Sequence, residues 1–207
     1  MTSYITDRLA DADDALHAAH VEADENGLRA PSLIVGSLLQ TLAGTTGTQG
    51  AVAVTPAAGV VGLHLLAGLP EKATLTCIEP DAALQAAAKE SFKQAGHATS
   101  RARFLTARPL DVMGRLAAEA YRLIYIDVAP RELKAVVELA WPLIGSGGLL
   151  VVADSLLDGT LTDPSRRDRD TEAAREADDY VESLASQHGA LVSRLPLDGG
   201  LTLITKR

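Results

Sequence analysis

Cysteine is nearly absent from this sequence. Cys77 is the only one in 207 residues, so an intramolecular disulfide is excluded. It lies in the apolar run 74–78, and we interpret it as a small buried side chain. Aromatic residues make up only 3% of the chain although 47% is hydrophobic. A core must therefore be built from alanine, valine, leucine and isoleucine, which is typical of a sheet covered by alanine-rich helices.

Positive charge and long apolar runs are also scarce. The 19 lysines and arginines face 27 acidic residues, which gives a net charge of −8. This balance disfavours binding to nucleic acid or to anionic membranes and favours a small-molecule partner. No apolar run approaches the ~18 residues that cross a bilayer, and the stretch Met1–Asp14 is too acidic for a signal peptide. We therefore expect a cytoplasmic protein without membrane contact.

The chain length predicts a single domain over residues 1–207. Its first part, 1–46, is predicted to supply two helices that cap the sheet domain. One of them covers 7–26, where apolar residues recur at spacings of three and four. The other begins near Pro31, which suits a first helical turn.

From Ala51 onward, short apolar runs alternate with helical stretches, as in a parallel sheet with crossover helices. The predicted strands are 51–55, 74–78, 102–106, 122–127 and 149–153. The predicted helices are 59–68, 81–96, 109–121, 130–144 and 171–188. The segments 190–195 and 201–205 are joined through Asp198-Gly199-Gly200, which indicates an antiparallel hairpin. The prediction is an α/β, Rossmann-like doubly wound fold, with a mostly parallel seven-stranded sheet that ends in this hairpin.

Ligands of open α/β sheets bind beyond the carboxyl ends of the strands. The first loop there is Thr55-Pro56-Ala57-Ala58-Gly59, in which only Gly59 supplies the freedom for a cofactor to approach backbone N–H groups. An ordinary strand-to-helix turn explains this loop equally well. The second loop places Glu79 at the tip of the second strand, where a carboxylate can accept both hydroxyls of a ribose. The alternative for Glu79 is a helix cap, although Asp81 can also cap the next helix.

Two further carboxylates, Asp127 and Asp154, each follow an apolar strand. Together they suit a divalent cation or a shared polar substrate, and solvated acids at strand ends are the alternative. His17 and His20 share a helix face without a third partner at metal-ligand spacing, so we interpret them as surface residues. His64 is isolated in the sequence.

Several motifs resemble the bacterial O-methyltransferases that include catechol and caffeoyl-CoA O-methyltransferases. The resemblance extends from about Pro31 to the end of the chain. The motifs are Gly36-Ser37-Leu38-Leu39, Glu79 with Asp81, Tyr125-Ile126-Asp127, Gly147 to Val152, Leu156 to Gly159, Asp163-Pro164 and Leu195 to Leu201.

The resemblance implies a class I S-adenosylmethionine-dependent methyltransferase acting on a small hydroxylated acceptor, and it implies a homodimer. It places Glu79 on the family's ribose-binding acid, with further cofactor contacts from Thr55, Pro56, Gly59, Ala107, Arg108 and Asp127. Asp127 also falls on a metal ligand next to the acceptor and is the expected catalytic residue. Mg²⁺ or another divalent cation would be held by Asp127 and Asp154.

The sequence departs from the family at several of these positions. The family's first loop reads Glu-x-Gly-x-Gly-x-Gly, and this chain has Ala53, Thr55 and Ala57 before the retained Gly59. The family's Gly-Asp-Ala is replaced by Ala107-Arg108-Pro109.

The family's metal ligands are two Asp and one Asn. Without gaps, the second Asp falls on Ala153 and the Asn on Asp154; a shift of one residue places them on Asp154 and Ser155. The family has a Lys beside the metal site, and this chain has Pro130 at that position. A catalytically impaired homologue that binds S-adenosylmethionine is therefore the alternative function, and a tRNA-modifying methyltransferase a weaker one.

Overall fold

The computed structural model describes residues 2–9 and 14–207. The chain divides into two compact units, one reaching to Arg108 and the other running from Pro109 to Arg207. Among the described residues, no helix combines the length and apolar character that a membrane span requires. The predicted single domain is not tested by this division and stays a prediction.

The first unit has an α/β arrangement. Its elements, in chain order, are α1 (Thr2–Leu9), α2 (Asp14–Glu25), α3 (Leu33–Ala43), β1 (Gly50–Val54), α4 (Ala58–Gly68), β2 (Leu75–Ile78), α5 (Ala82–Gln94), a 3-10 turn (Thr99–Arg101) and β3 (Ala102–Leu105). The strands are parallel in the order β3-β2-β1. Every residue of β1 after Gly50 is at most 1% exposed, as expected for a strand covered on both faces.

Small residues allow α4 to pack closely on its neighbours. A Cβ at Gly36 of α3 would lie 2.1 Å from His64 Nε2, and one at Gly62 would lie 2.1 Å from Phe92 Cζ. Glycine at these two positions makes room for the two rings, so α3, α4 and α5 come close together. A scarcity of aromatic side chains is compatible with a dense core because the helix axes approach so closely.

The outermost strand of this unit, β3, is secured by Arg101 at its start. The Arg101 guanidinium donates from Nε to Ala73 O at 3.2 Å and from a terminal nitrogen to Leu66 O and Leu69 O at 3.3 and 3.1 Å. One side chain thereby satisfies one carbonyl group in the last turn of α4 and two in the connection between α4 and β2.

The second unit carries the antiparallel end of the sheet. Its elements are α6 (Pro109–Val112), a 3-10 turn (Met113–Arg115), β4 (Tyr121–Ile126), α7 (Pro130–Ala140), a 3-10 turn (Trp141–Leu143), β5 (Ile144–Val152), a 3-10 segment (Leu157–Thr162), α8 (Arg169–His188), β6 (Leu191–Leu195) and β7 (Leu201–Thr205). β4 and β5 are parallel, while β7 is antiparallel to both β5 and β6. The predicted fold class, a mostly parallel seven-stranded sheet ending in an antiparallel hairpin, is confirmed.

Several predicted element boundaries are corrected. The predicted helix 109–121 is only one short turn of α-helix and one of 3-10 helix, because Gly114 disfavours a helix and only Pro109 and Met113 of these turns are buried. The fifth strand begins at Ile144, five residues earlier than predicted. Pro31 lies outside α3, whose cap is Ser32.

Helix α8 is capped by Asp168, which accepts from Thr171 N at 3.0 Å. Its end at Gly189, with φ of 64°, matches the prediction. The predicted helix 7–26 is divided between α1 and α2, and its residues 10–13 lie outside the described part of the chain.

Candidate functional site

The loop after β1 contains a hydrogen bond from its own main chain to the Thr55 side chain. Thr55 is 1% exposed, and its Oγ1 accepts a hydrogen bond from Ala57 N at 3.1 Å. α4 then begins with Ala57 at its cap position, where no side chain can accept from the first turn. The Thr55 hydroxyl thus occupies one N–H group of the loop.

Gly59 has a packing role. A Cβ at this position would lie 3.3 Å from Ser91 Oγ and 3.8 Å from Ala19 Cβ. Its missing side chain therefore lets α4 approach α5 and α2. Pro56, between Thr55 and the helix, is half-buried.

Glu79 lies directly beyond the end of β2 and is 8% exposed. Its Oε1 accepts from Asp81 N at 2.8 Å. Burial raises the pKa of Glu79, and the hydrogen bond from Asp81 N opposes this shift. Asp81 caps α5, as predicted, by accepting from Ala83 N at 2.7 Å. The two carboxylates therefore have different roles, and Glu79 is not the cap of this helix.

Gln85 holds the main chain of Glu79. The sequence analysis did not identify it as a site residue. Its Nε2 donates to Glu79 O at 3.2 Å, to Leu105 O at 3.2 Å and to Cys77 O at 3.4 Å. The side chain is 1% exposed and joins the ends of β2 and β3. Its position in the second turn of an otherwise alanine-rich helix was the available signal.

The loop after β3 is a tight turn in which Ala107 N donates to Leu105 O at 3.0 Å. Ala107 is half-buried and Arg108 is exposed. The guanidinium that replaces the family's acid is therefore at the surface of the first unit.

In the second unit, three carboxylates lie near enough to Tyr125 for their charge to act on its hydroxyl. Tyr125 is 2% exposed, and its pKa is held well above its usual range, first by burial and then by the negative charges of Asp127, Asp198 and Asp154. The predicted pair Asp127 and Asp154 thus acts electrostatically on the same phenol. Asp198, from the hairpin turn, joins this group and was not predicted as a site residue.

The hairpin turn packs tightly on the loop that follows β5. Asp154 has a φ of 48°, and a Cβ at Gly199 would lie 2.1 Å from Asp154 Oδ1. Gly199 O accepts from Asp158 N, and Gly200 O accepts from Ser155 N, each at 3.0 Å. Glycine at 199 was visible in the sequence, but there it indicated only a turn.

The donor set does not make a three-ligand metal site. Ser155, which the shifted register would require, is 7% exposed and bonds through its hydroxyl to Gly200 O at 3.1 Å and Thr202 Oγ1 at 2.8 Å. In the other register the second position is Ala153, which has no side-chain donor atom. Within residues 2–9 and 14–207, no group of three or more His, Cys, Asp or Glu side chains is arranged to hold a metal ion.

Comparison with known proteins shows the family to which this chain belongs. The family model described as O-methyltransferase matches residues 31–207. A Mycolicibacterium smegmatis protein that carries the name O-methyltransferase is 35% identical over 195 residues, covering 94% of this chain and 91% of that protein.

Solved structures agree with this result. A Corynebacterium glutamicum protein has a TM-score of 0.93 at 51% identity, covering 99% of this chain and 96% of that one. The O-methyltransferase TomG of Streptomyces achromogenes, involved in tomaymycin synthesis and crystallised with S-adenosylmethionine, has a TM-score of 0.86 at 22% identity, covering 99% of this chain and 95% of its own. The second similarity supports the fold only, whereas the family model and the mycobacterial relative establish that this chain belongs to the O-methyltransferase family.

Proposed function

We propose that this protein transfers the methyl group of S-adenosylmethionine to a hydroxyl group of a small acceptor. Its membership of the O-methyltransferase family supports this reaction class. Bound S-adenosylmethionine would supply an electrophilic methyl group: the acceptor oxygen forms the new bond to carbon, the sulfur keeps the electron pair of the broken bond, and the hydroxyl proton is lost. The protein's main task in such a displacement is to hold and orient the two reactants.

The observation that carries the proposal is the buried carboxylate of Glu79 at the end of β2. One oxygen is held by Asp81 N, and the main chain of Glu79 is held by Gln85. A carboxylate fixed in this way is preorganised to accept hydrogen bonds from the two ribose hydroxyls. Thr55, Pro56, Gly59, Ala107 and Arg108 complete the proposed cofactor contacts.

Asp127 is the proposed catalytic residue. It follows β4, is half-buried, and belongs to the carboxylates whose charge acts on Tyr125. A carboxylate here would accept the acceptor's hydroxyl proton or hold that hydroxyl by a hydrogen bond. Because Ser155 and Ala153 supply no third ligand, no step is assigned to Mg²⁺.

The second candidate is a homologue that binds S-adenosylmethionine with little or no turnover. The Thr55 hydroxyl favours this candidate because it occupies the N–H group of Ala57. Methylation assays of a catechol and phenol panel, with and without Mg²⁺, would separate the two. Tight cofactor binding without methylation of any acceptor would favour the impaired homologue. Product formed only with Mg²⁺ would show that the reaction requires the metal.

The decisive binding experiment is calorimetric titration of wild-type protein and Glu79→Ala with S-adenosylmethionine, with NAD as a negative control. Losing hydrogen bonds to a charged group should weaken binding by roughly 1.5–3 kcal/mol, which is about 10- to 150-fold. Asp111→Ala, at an exposed position outside the proposed contacts, is the matched control and should bind like wild type. Equal affinity of Glu79→Ala and wild type would refute the ribose assignment.

We further propose a homodimer in the cytoplasm that does not act on nucleic acid. The net charge of −8 supports the last point, and the family resemblance supports the dimer. Sedimentation equilibrium tests the homodimer, and a tRNA methylation assay tests whether the protein acts on nucleic acid. A monomer or a methylated tRNA would contradict them.

A further inference from the structure

The first unit contains a cavity of about 340 Å³ bounded by α1, α2, α3, α4 and the segment after α5. Two helices supply much of its wall. Along α3, Leu33, Ser37 and Gln40 recur at spacings of four and three and so share one face. On α4, Leu63 and Ala67 lie four residues apart. The volume is within the usual range for small-molecule pockets, so the cavity has the size of a ligand site.

The cavity reaches the ends of α4 and α5 that are remote from the cofactor loops. Gly59 is in the first turn of α4, whereas Ala67 is eight residues further along, or about 12 Å. Ala82 opens α5 beside Glu79, whereas Ala95, also in the cavity wall, follows the end of this helix about 20 Å away. A small ligand in this cavity would therefore be separate from the loops that carry Glu79 and Gly59.

Leucine side chains make the apolar part of the wall. Leu9, Leu16 and Leu33 are each half-buried, and Leu63 is 6% exposed. A ligand with a hydrocarbon body would remove the remaining leucine surface from water, which favours binding. The cavity is therefore suited to a ligand that is apolar over most of its length.

The ionisable side chains of the wall are all of basic types. Arg8 is exposed in the last turn of α1 and always carries a positive charge, and the wall also includes His64 and His97. Among the described residues that line the cavity, none is an aspartate or a glutamate, although the whole chain has a net charge of −8. The wall thus favours an anionic group over a cationic one.

Arg8 is the polar anchor of this wall. Its guanidinium lies over the Tyr4 ring, 5.1 Å from the ring centroid, and a guanidinium presents a fork of N–H donors that matches the two oxygens of a carboxylate. Ser37 and Gln40 add side-chain donors from α3. His64 offers a ligand no polar contact, because its Nε2 is enclosed and faces Gly36.

We propose that this cavity is a second small-molecule site, which takes an amphipathic monocarboxylate. The carboxylate pairs with Arg8, and the hydrocarbon body lies against the leucines of the wall. One permanent cation matches the single negative charge of such a ligand, and a paired guanidinium and carboxylate form charge-assisted hydrogen bonds. The site is independent of the proposed cofactor site.

Octanoate is a suitable probe, and octanamide is the matched molecule whose head group is neutral. Calorimetry on the full chain should show one octanoate site, with octanamide about three- to tenfold weaker at low ionic strength because it forms no ion pair. Added salt should narrow this difference, since it screens an ion pair at the protein surface. No octanoate binding, or equal affinity for the two molecules, would overturn the proposal.

Substitution of Arg8 tests the assigned ion pair. Arg8→Gln should bind octanoate and octanamide with similar affinity, whereas Arg8→Lys, which keeps the charge, should keep a preference for octanoate. Arg103→Gln makes the same charge change at an exposed arginine of β3 outside the cavity wall and should bind both probes like wild type. An unchanged octanoate preference in Arg8→Gln, or an equal loss in Arg103→Gln, would overturn the assignment.

A filling substitution tests the location. Ala67 is exposed on the cavity wall, so Ala67→Phe should occupy the cavity with little effect on folding and weaken both probes at least tenfold. Ala18→Phe, at an exposed position of α2 outside the cavity wall, is the control and should bind like wild type. S-adenosylmethionine affinity should be the same in all these variants, so that a failure here is distinguishable from a failure of the proposed function. Wild-type probe affinity in Ala67→Phe, or a change in its oligomeric state, would contradict the proposed site.

Discussion

Acidification should destabilise this protein through His64 before most carboxylates are protonated. The buried ring is neutral in the folded chain because burial lowers its pKa to about 4 from 6.5. In the unfolded chain it titrates at the higher value. Between these two pH values the unfolded state binds a proton that the folded state does not bind, so the free energy of unfolding falls as the pH falls.

The magnitude follows from the width of that window. A difference of about 2.5 pKa units corresponds to roughly 3 kcal/mol at 1.36 kcal/mol per unit. This stability is complete above about pH 6.5 and lost near pH 4. His20, half-buried, also has a lowered pKa, mainly through burial, and should add a smaller loss in the same direction.

Urea unfolding of wild-type protein and His64→Leu between pH 7 and 4 measures this effect. The wild type should lose about 3 kcal/mol more than the variant across the window. At pH 7 the variant should be at least as stable, because leucine carries no unpartnered nitrogen. His188→Gln, which replaces an exposed histidine in the last turn of α8, is the matched control and should keep the wild-type slope. Parallel curves for wild type and His64→Leu would refute the reasoning.

Three further predictions concern stability and reactivity. Gly199→Ala should lower the free energy of unfolding by about 2 kcal/mol or more, because φ is 77° and the new Cβ meets Asp154 Oδ1. Gly189→Ala, with φ of 64° and open space around it, should lower it by only about 1–2 kcal/mol in the same urea titration. Equal losses would contradict the close contact at Gly199. Gln85→Leu should lose roughly 2–3 kcal/mol because three carbonyl groups each lose the hydrogen bond from its Nε2, and a loss below about 1 kcal/mol would count against this role. Cys77, whose pKa burial raises to about 12, should resist thiol reagents in native protein at pH 8 and react only as urea unfolds it; rapid native labelling would show that the strand is accessible.

The alternation of apolar strands and helices was enough to predict the sheet and its final hairpin. Each element buries its own periodic face, so the pattern is visible locally. The prediction of a helix over 109–121 was wrong. Gly114 disfavours a helix, and the burial of Pro109 and Met113 alone does not offset this cost.

The candidate site was predicted less completely, since its residues act through contacts that are distant in sequence. Glu79 could be identified from its position after a strand, but Gln85, which binds its carbonyl, could not. Asp198 lies 44 positions after Asp154 and reaches the same phenol only through the hairpin. The burial of His64 depends on Gly36 in another helix, a pairing that no sequence period indicates.

The two side chains that bracket β3 have a consequence for solubility. This strand is four residues long and outermost in the order β3-β2-β1, and exposed strand edges can recruit other chains into intermolecular sheets. Arg101, which directly precedes the strand, binds the carbonyl of Ala73, and Gln85 binds the carbonyl of the strand's last residue, Leu105. A short strand fixed at both ends rarely frays, and this limits the opportunity for aggregation at that border of the molecule.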